Sequence, residues 1–188
     1  DSLDPTWHDR GAGGRNPRLA VARPQTQLEV LGALPRVDLH RHLEGSLRLR
    51  TLVQLSREEG LPLPQEEAAL GRHVQIQHDD RRNSPIFLSK FEVLRTFYRS
   101  PEIIQRVTRE AIADAAADNV RYLELRFTPI ALASARGFPL GEVADWVIAA
   151  AQDEAARRGI RVGMILSMNR HEPLGLAEQM AQLAIDRA

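Results

Sequence analysis

Apolar residues recur along this chain with two periods, one typical of strands and one typical of helices. Three short apolar or alternating segments predict strands at residues 37–42, 120–127 and 160–168. Longer segments, in which apolar residues recur every three or four positions, predict helices between and after these strands. This order of strands and helices is typical of a parallel sheet with crossover helices, and therefore of an α/β fold.

Capping residues and helix breakers set the limits of the predicted helices. Ser46 is predicted to cap a helix that follows the first strand, and residues 63–85 are predicted to form a polar connection whose charged string, residues 78–82, lies in a solvated loop. A long helix is predicted over residues 140–158, and Gly159 closes it where a left-handed residue is favoured. The last helix begins at about Leu176 and is cut off at Ala188.

Two parallel-sheet architectures fit this order, an open doubly wound sheet and a closed barrel. A doubly wound nucleotide-binding sheet carries a glycine-rich turn after its first strand, but here that turn has only Gly45. All three predicted strands end in polar residues, and barrels collect their chemistry at the carboxyl ends of their strands. We therefore predict the N-terminal part, about three β/α units, of a (β/α)8 TIM barrel.

The chain divides into two parts by composition. Residues 1–33 are rich in Gly, Pro and Arg, lack a hydrophobic period, and bury too little apolar surface to offset the entropy of ordering. They are predicted to form a disordered leader. Residues 34–188 are predicted to form the N-terminal portion of the barrel, truncated after its third unit.

Composition also excludes several classes of function. The 188 residues carry a formal net charge of zero, so no basic bias points to nucleic acid as a partner. No cysteine is present, which excludes thiolate metal sites and the cysteine-ligated base deaminases. No apolar run approaches the length of a membrane span. We predict a cytoplasmic protein that binds neither nucleic acid nor membrane.

Two histidines at the end of the first strand are the strongest candidates for chemistry. In a strand that alternates strictly, Asp38, His40 and His42 share one face, so the two imidazoles meet a common point. Neutral imidazole is the commonest metal ligand in proteins. Pairs with this spacing also occur on solvated strands, and two imidazoles alone make only part of a metal site.

Three segments in order along the chain resemble one known family. Residues 34–48, which contain both histidines, resemble the opening of the adenosine deaminase family, within the metal-dependent amidohydrolase superfamily. Residues 122–129 resemble its second-strand motif and residues 168–173 its third. The resemblance runs from about Leu34 to the end of the chain, and it carries implications for individual residues.

The resemblance implies a site for one zinc ion and a small-molecule purine ligand, either a nucleoside or a base. His40 and His42 would be zinc ligands, and Glu44 would be the acid that contacts a sugar hydroxyl. A second group would line the hydrophobic mouth of the pocket, and a third would support the strand ends from outside the site. The mouth residues are Phe87, Leu88 and Phe91, and the supporting residues are Arg126, Arg170 and His171.

The implied activity is zinc-dependent hydrolytic deamination of adenosine to inosine and ammonia by the full-length parent protein. In the family the proton donor, the third zinc histidine and the last ligands come from later motifs. No catalytic residue is therefore expected within these 188 residues, and the catalytic groups are expected beyond Ala188. The isolated chain is predicted to be inactive. Glu44 stands where the best-known members have aspartate, which keeps adenine or a modified adenosine open as the substrate.

Two other classes of function remain open at this point. Barrels that hydrolyse phosphate esters with two or three metals also begin with a strand of this kind, but their sites need further clusters of histidines and acids. A truncated barrel without catalytic activity could instead serve as an interaction module. A reading frame that continues with the missing motifs would exclude the second alternative.

Overall fold

A computed structural model describes residues 27–80 and 83–187 of the chain. Eight helices and three strands occur in these ranges, together with a single 3₁₀ turn, Leu43–Gly45, that directly follows the first strand. The strands are β1 (Arg36–His42), β2 (Val120–Phe127) and β3 (Arg161–Leu166). The helices are α1 (Gln27–Ala33), α2 (Leu49–Glu58), α3 (Glu67–Val74), α4 (Ser84–Arg95), α5 (Pro101–Ala117), α6 (Pro129–Ala133), α7 (Leu140–Arg158) and α8 (Leu174–Ile185).

The three strands form one parallel sheet in the order β1-β2-β3. This arrangement confirms the predicted α/β class and the predicted parallel sheet. Because the strands are parallel, their carboxyl ends lie at one edge, where His42 of β1 is paired in register with Arg126 of β2. The polar residues that follow each strand are thereby brought to the same side of the molecule.

Helices α5 and α7 pack against each other, with α5 against β2 and α7 against β3. Alternate residues of β2 supply the sheet side of this core, and Leu123, Leu125 and Phe127 have no exposed surface. Burial of each such side chain contributes about 1.5–3 kcal/mol relative to full exposure. This core fixes β2, and through it the strand ends that form the site.

The two features of α7 that the sequence predicts are confirmed. The helix spans Leu140–Arg158, and Gly159 follows it with a φ of 66° in the left-handed region. The Gly159 amide donates to the carbonyl of Ala155, which ends the helix. Among the described helices, none has the length and apolar character needed to cross a membrane.

The last helix ends before the end of the chain. Helix α8 begins at Leu174, directly after Pro173 and two residues earlier than predicted. It ends at Ile185, with Asp186 as its carboxyl cap, whereas the prediction carried it on to Ala188. Ala188 itself lies outside the described residues.

Two predicted loop or leader regions contain helices. Within the predicted connection 63–85, α3 forms because Leu70 and Val74, four residues apart, are buried on one face of a helix. The predicted leader ends earlier than residue 33, since α1 begins at Gln27. Asn119 holds the end of α1 by donating from Nδ2 to the carbonyl of Ala33 at 2.9 Å. The rest of the predicted leader, residues 1–26, lies outside the described residues.

The predicted cap of the second helix is also corrected. Ser46 does not cap α2, which begins at Leu49 with the extended residue Arg48 before it. The Ser46 hydroxyl donates instead to the carbonyl of His42 at 2.6 Å, and its amide donates to Leu43 at 3.0 Å. Ser46 therefore closes the 3₁₀ turn that holds Glu44 at the end of β1.

Candidate functional site

A cleft of about 330 Å³ lies where β1 and β2 end and α4 passes beside them. The cleft is lined by most of the residues that the sequence analysis singled out: His42, Glu44, Phe87, Leu88, Phe91, Arg126 and His171. The other lining residues are Glu92, Arg95, Thr128 and Asn169. The fold thus gathers at one place side chains that are up to 129 positions apart in the sequence, from His42 to His171.

The two candidate metal ligands converge beside this cleft. Nε2 of His40 lies 3.0 Å from Nε2 of His42, and the two rings meet edge to face. Two nitrogen ligands about 2.0–2.1 Å from one zinc ion in a tetrahedral site are about 3.3 Å apart. Both the donor atoms and their separation therefore fit a shared zinc ion.

The surroundings of His42 favour the neutral imidazole that a metal requires. Burial lowers the pKa of His42, and the positive charge of Arg126 and the neighbouring His40 lower it further. Arg126 occupies the position beside His42 on the adjacent strand. A neutral ring keeps a lone pair available for coordination.

The ladder between β1 and β2 is irregular between Asp38 and Arg41. The Arg41 Nε donates to the Asp38 carboxylate at 2.8 Å, and the His40 amide donates to the same carboxylate at 3.2 Å. Strict alternation would place Asp38 and Arg41 on opposite faces, so the irregularity interrupts the pattern on which the prediction relied. Asp38 binds Arg41, while the two histidines still meet each other.

Glu44 is a buried acid at the floor of the site. Its side chain is 4% exposed, and Oε1 accepts a hydrogen bond from the Thr128 amide at 2.8 Å. The second carboxylate oxygen, Oε2, is buried without a partner. Burial raises the pKa of Glu44, and the hydrogen bonds from the backbone and Thr128, with the charge of Arg95, oppose that rise. This carboxylate has one oxygen free to accept from a ligand.

Helix α4 supplies the apolar side of the cleft. Phe87 and Leu88 are 50% and 56% exposed, and Phe91 is partly buried. The rings of Phe87 and Phe91 pack edge to face with centroids 5.1 Å apart. A ligand with a flat apolar face would cover aromatic surface that water otherwise contacts, which favours binding.

The hydrogen bonds that join the strand ends come from residues that the sequence analysis did not single out for this role. The Thr128 hydroxyl lies 2.8 Å from the Ser167 hydroxyl, and the Ser167 amide donates to Phe127 at 2.9 Å. Arg170 and His171 were expected to support these strand ends, but both residues are exposed to solvent. Arg170 does not line the cleft, whereas His171 does, with its Nε2 atom 3.7 Å from the carboxylate of Glu172.

Arg95 is one of two charged cleft residues that sequence reasoning missed, the other being the exposed Glu92. Arg95 lies four residues after Phe91 and eight after Phe87, so the three form one stripe along α4. The same helical spacing that identifies the two aromatic residues would have identified it. Thr128 gave no comparable signal, because only the pairing of β1 with β2 brings it to Glu44.

The part of the chain that the structure describes does not contain the full set of ligands for a metal site. No group of three or more histidine, aspartate or glutamate side chains there is arranged to hold a metal ion. His40 and His42 would supply two nitrogen ligands, whereas catalytic zinc sites have three protein ligands and an open position. The location of the catalytic residues beyond Ala188 stays a prediction.

Comparison with known proteins gives a family match. The sequence model for adenosine deaminase matches residues 35–188. Adenosine deaminase from Vibrio vulnificus is 33% identical over 140 residues, which cover 74% of this chain and 42% of that protein. The chain therefore spans about two fifths of the length of this curated relative.

Solved structures give a consistent comparison. A zinc-bound amidohydrolase from Burkholderia ambifaria matches with a TM-score of 0.72 and 26% identity, over 91% of this chain and 46% of that one. The apo N6-methyl-AMP deaminase from Arabidopsis thaliana matches with a TM-score of 0.67 and 30% identity, over 85% and 47% of the two chains. The similarity in each case extends over less than half of the solved chain.

Proposed function

Because this chain belongs to the adenosine deaminase family, we propose that the full-length protein hydrolytically deaminates adenosine to inosine and ammonia with one zinc ion. The observation that carries the proposal is the arrangement of one cleft. The His42 imidazole, a buried acid with a free oxygen and an aromatic wall lie around the same space of about 330 Å³, and the His40 imidazole meets that of His42 beside it. The imidazoles are suited to bind a metal ion, the acid to accept from a hydroxyl, and the aromatic wall to cover a purine.

Each group has a separate task in this proposal. His40 and His42 would hold the zinc ion, which when bound lowers the pKa of a water molecule and so supplies a nucleophile near neutral pH. The aromatic rings of Phe87 and Phe91 would cover the purine and exclude water from it. The free oxygen of Glu44 would accept a hydrogen bond from a sugar hydroxyl and thereby orient the nucleoside.

The proposal assigns the proton transfers to residues beyond Ala188. Two zinc ligands without a third would hold the ion weakly, and no group of three or more possible ligands occurs among the described residues. Glu44, the buried acid of the cleft, is assigned here to the sugar hydroxyl, so the proton donor to the purine ring is a further residue. We therefore propose that the remaining ligands and the proton donor belong to the rest of a closed (β/α)8 barrel. The 188-residue chain alone is expected to be inactive.

The test is an assay of the full-length protein for release of ammonia from adenosine. We expect turnover that a chelator abolishes and added Zn²⁺ restores. His42→Ala should lower kcat/KM by at least a hundredfold and reduce the zinc content of the purified protein. Absence of turnover by the zinc-loaded wild-type protein, with every 6-aminopurine tried, would contradict the proposal and favour a non-catalytic interaction module.

The substrate alternatives are tested in the same assay. Adenine and N6-methylated nucleosides or nucleotides are the main competitors, since a structural relative is named as an N6-methyl-AMP deaminase. A higher kcat/KM for one of these than for adenosine would replace adenosine as the substrate while leaving the reaction class unchanged. The phosphoesterase alternative loses support from the family match, because that match concerns a deaminase.

A further inference from the structure

Unpartnered buried polar atoms gather around the cleft. Five such side-chain atoms occur in the described residues, and four of them belong to Glu44, Arg95, Tyr98 and Arg126. Three of these four residues line the cleft itself. Leaving a buried polar atom without a partner costs about 1–3 kcal/mol, so a cluster of such atoms indicates a place where a ligand or ordered water completes the hydrogen bonds.

Arg95 stands out within this cluster. No hydrogen bond or ion pair of Arg95 is found among the described residues, although its Nε is buried and its side chain lines the cleft. Most other arginines near α4 and α5 are paired, such as Arg48 with Asp114 at 2.6 Å and Arg99 with Glu59 at 3.2 Å. An arginine that is always charged and lacks a protein partner is available to a ligand.

The position of Arg95 on α4 makes one end of the cleft wall positively charged, while the other end is aromatic. Phe87 and Phe91 occupy the two preceding turns of the same stripe, so the wall changes from aromatic to cationic along the helix. Glu44 lines the same cleft and is close enough for the positive charge of Arg95 to act on its carboxylate. Both residues therefore line the cleft beside the aromatic surface, and each has a buried polar atom without a partner among the described residues.

We propose that Arg95 and Glu44 together bind one sugar hydroxyl of the substrate and that Arg95 is a specificity-determining residue. A hydroxyl is both donor and acceptor, so it can donate to Glu44 Oε2 and accept from the Arg95 guanidinium at once. This inference rests on the proposed function and deepens it, because it adds Arg95 to the residues that recognise the sugar of the substrate.

The pair discriminates against two related ligand classes. A free base brings no hydroxyl, which leaves both buried atoms unpaired in the complex. A phosphate group at the same position accepts from Arg95 but has no proton to donate near neutral pH, and it meets the Glu44 carboxylate as a like charge. Both classes are therefore expected to bind less well than the nucleoside.

The experiment measures kcat/KM of the full-length protein for adenosine and its 2′-, 3′- and 5′-deoxy analogues. In the wild-type protein we expect kcat/KM for one deoxy analogue to be about tenfold or more below that for adenosine. This is the size of effect expected when a hydrogen bond to a charged group is lost. Arg95→Met should lower kcat/KM for adenosine, mainly through KM, and should reduce the discrimination against that same analogue to about threefold or less. Arg95→Lys, which restores a donor, should recover part of the discrimination.

Arg121→Met is the matched control, because Arg121 is exposed near the start of β2, away from the strand ends that form the cleft. It should leave the whole analogue series unchanged. Equal discrimination by wild type and Arg95→Met would overturn the inference while the deaminase proposal stands. Absence of turnover with every purine would instead overturn the proposed function. If Arg95→Met fails to fold, the inference is tested by Arg95→Lys and by the wild-type analogue series. A wild-type protein that does not discriminate among the analogues also overturns the inference.

Discussion

At the scale of single residues, Glu44 has a structural role that is separate from ligand binding. Its Oε1 accepts from the buried Thr128 amide at 2.8 Å, which ties the turn after β1 to the end of β2. Glu44→Ala should lower the free energy of unfolding by about 1–3 kcal/mol, because it leaves that amide unpaired. Glu44→Gln keeps a hydrogen-bond acceptor on a side chain of the same size, so its free energy of unfolding should fall by less. Urea unfolding of the full-length protein measures both changes.

The control for Glu44 is Glu92→Ala, since Glu92 lines the same cleft but is exposed and makes no hydrogen bond within the described residues. Its effect on unfolding should lie within about 0.5 kcal/mol. Equal losses for the alanine and glutamine variants of Glu44 would show that the Thr128 hydrogen bond contributes nothing to stability.

The same scale shows which site residues a sequence can reveal. His40 and His42 are recognisable because two residues suffice to bring imidazoles together on a strand, even one with an irregular ladder. Phe87 and Phe91 follow from helical spacing, and Arg95 follows from continuing it. Thr128 is different, since its contact with Glu44 spans 84 positions and depends on the register of two strands. No local pattern contains that register.

At the scale of elements, Asn119 joins α5, β2 and the end of α1. It has a φ of 58°, in the left-handed region, and its Nδ2 donates to the carbonyls of Ala33 and Leu34 at 2.9 and 2.8 Å. Asn119→Gly keeps the backbone conformation but loses both hydrogen bonds, which should cost about 1 kcal/mol. Asn119→Ala adds the strain of a Cβ at positive φ, about 1 kcal/mol more. Thermal unfolding measures the difference.

Asn119→Asp separates the two contributions, because aspartate tolerates the left-handed region but cannot donate to the two carbonyls. Its loss of stability should match that of the glycine variant. An alanine variant as stable as the glycine variant would contradict the assignment of strain to this position.

Elements differ in how well the sequence predicts them, and the reason is length. Helix α7 has 19 residues with an apolar face and a glycine at its end, so periodicity and capping agree on its bounds. Helix α3 has only eight residues, set among prolines and charges, and tertiary packing of Leu70 stabilises it. A short helix that is stabilised mainly by packing against its neighbours contains too few periodic apolar positions to be predicted from the sequence.

At the scale of the whole molecule, β1 is an edge strand of the described sheet and carries exposed apolar side chains. Val37 is 62% exposed and Leu39 is 58% exposed. An apolar edge with unpaired backbone groups is a site for association between chains. In the closed barrel proposed for the full-length protein, every strand has two neighbours and both of its faces are covered. The same two residues therefore have opposite effects in the two contexts.

Replacement of Val37 and Leu39 by threonine tests this contrast directly. In the isolated 188-residue chain, the double variant should reduce self-association, measured by light scattering at matched concentrations, because it removes apolar surface from the edge. In the full-length protein it should lower the free energy of unfolding by about 2 kcal/mol or more, because both side chains become buried there. Leu174→Thr, at a side chain 75% exposed on α8, is the control for lost apolar surface away from the sheet edge. A wild-type isolated chain that melts cooperatively as a monomer would show that this edge needs no partner, and it would remove the sheet edge as an argument for a larger barrel.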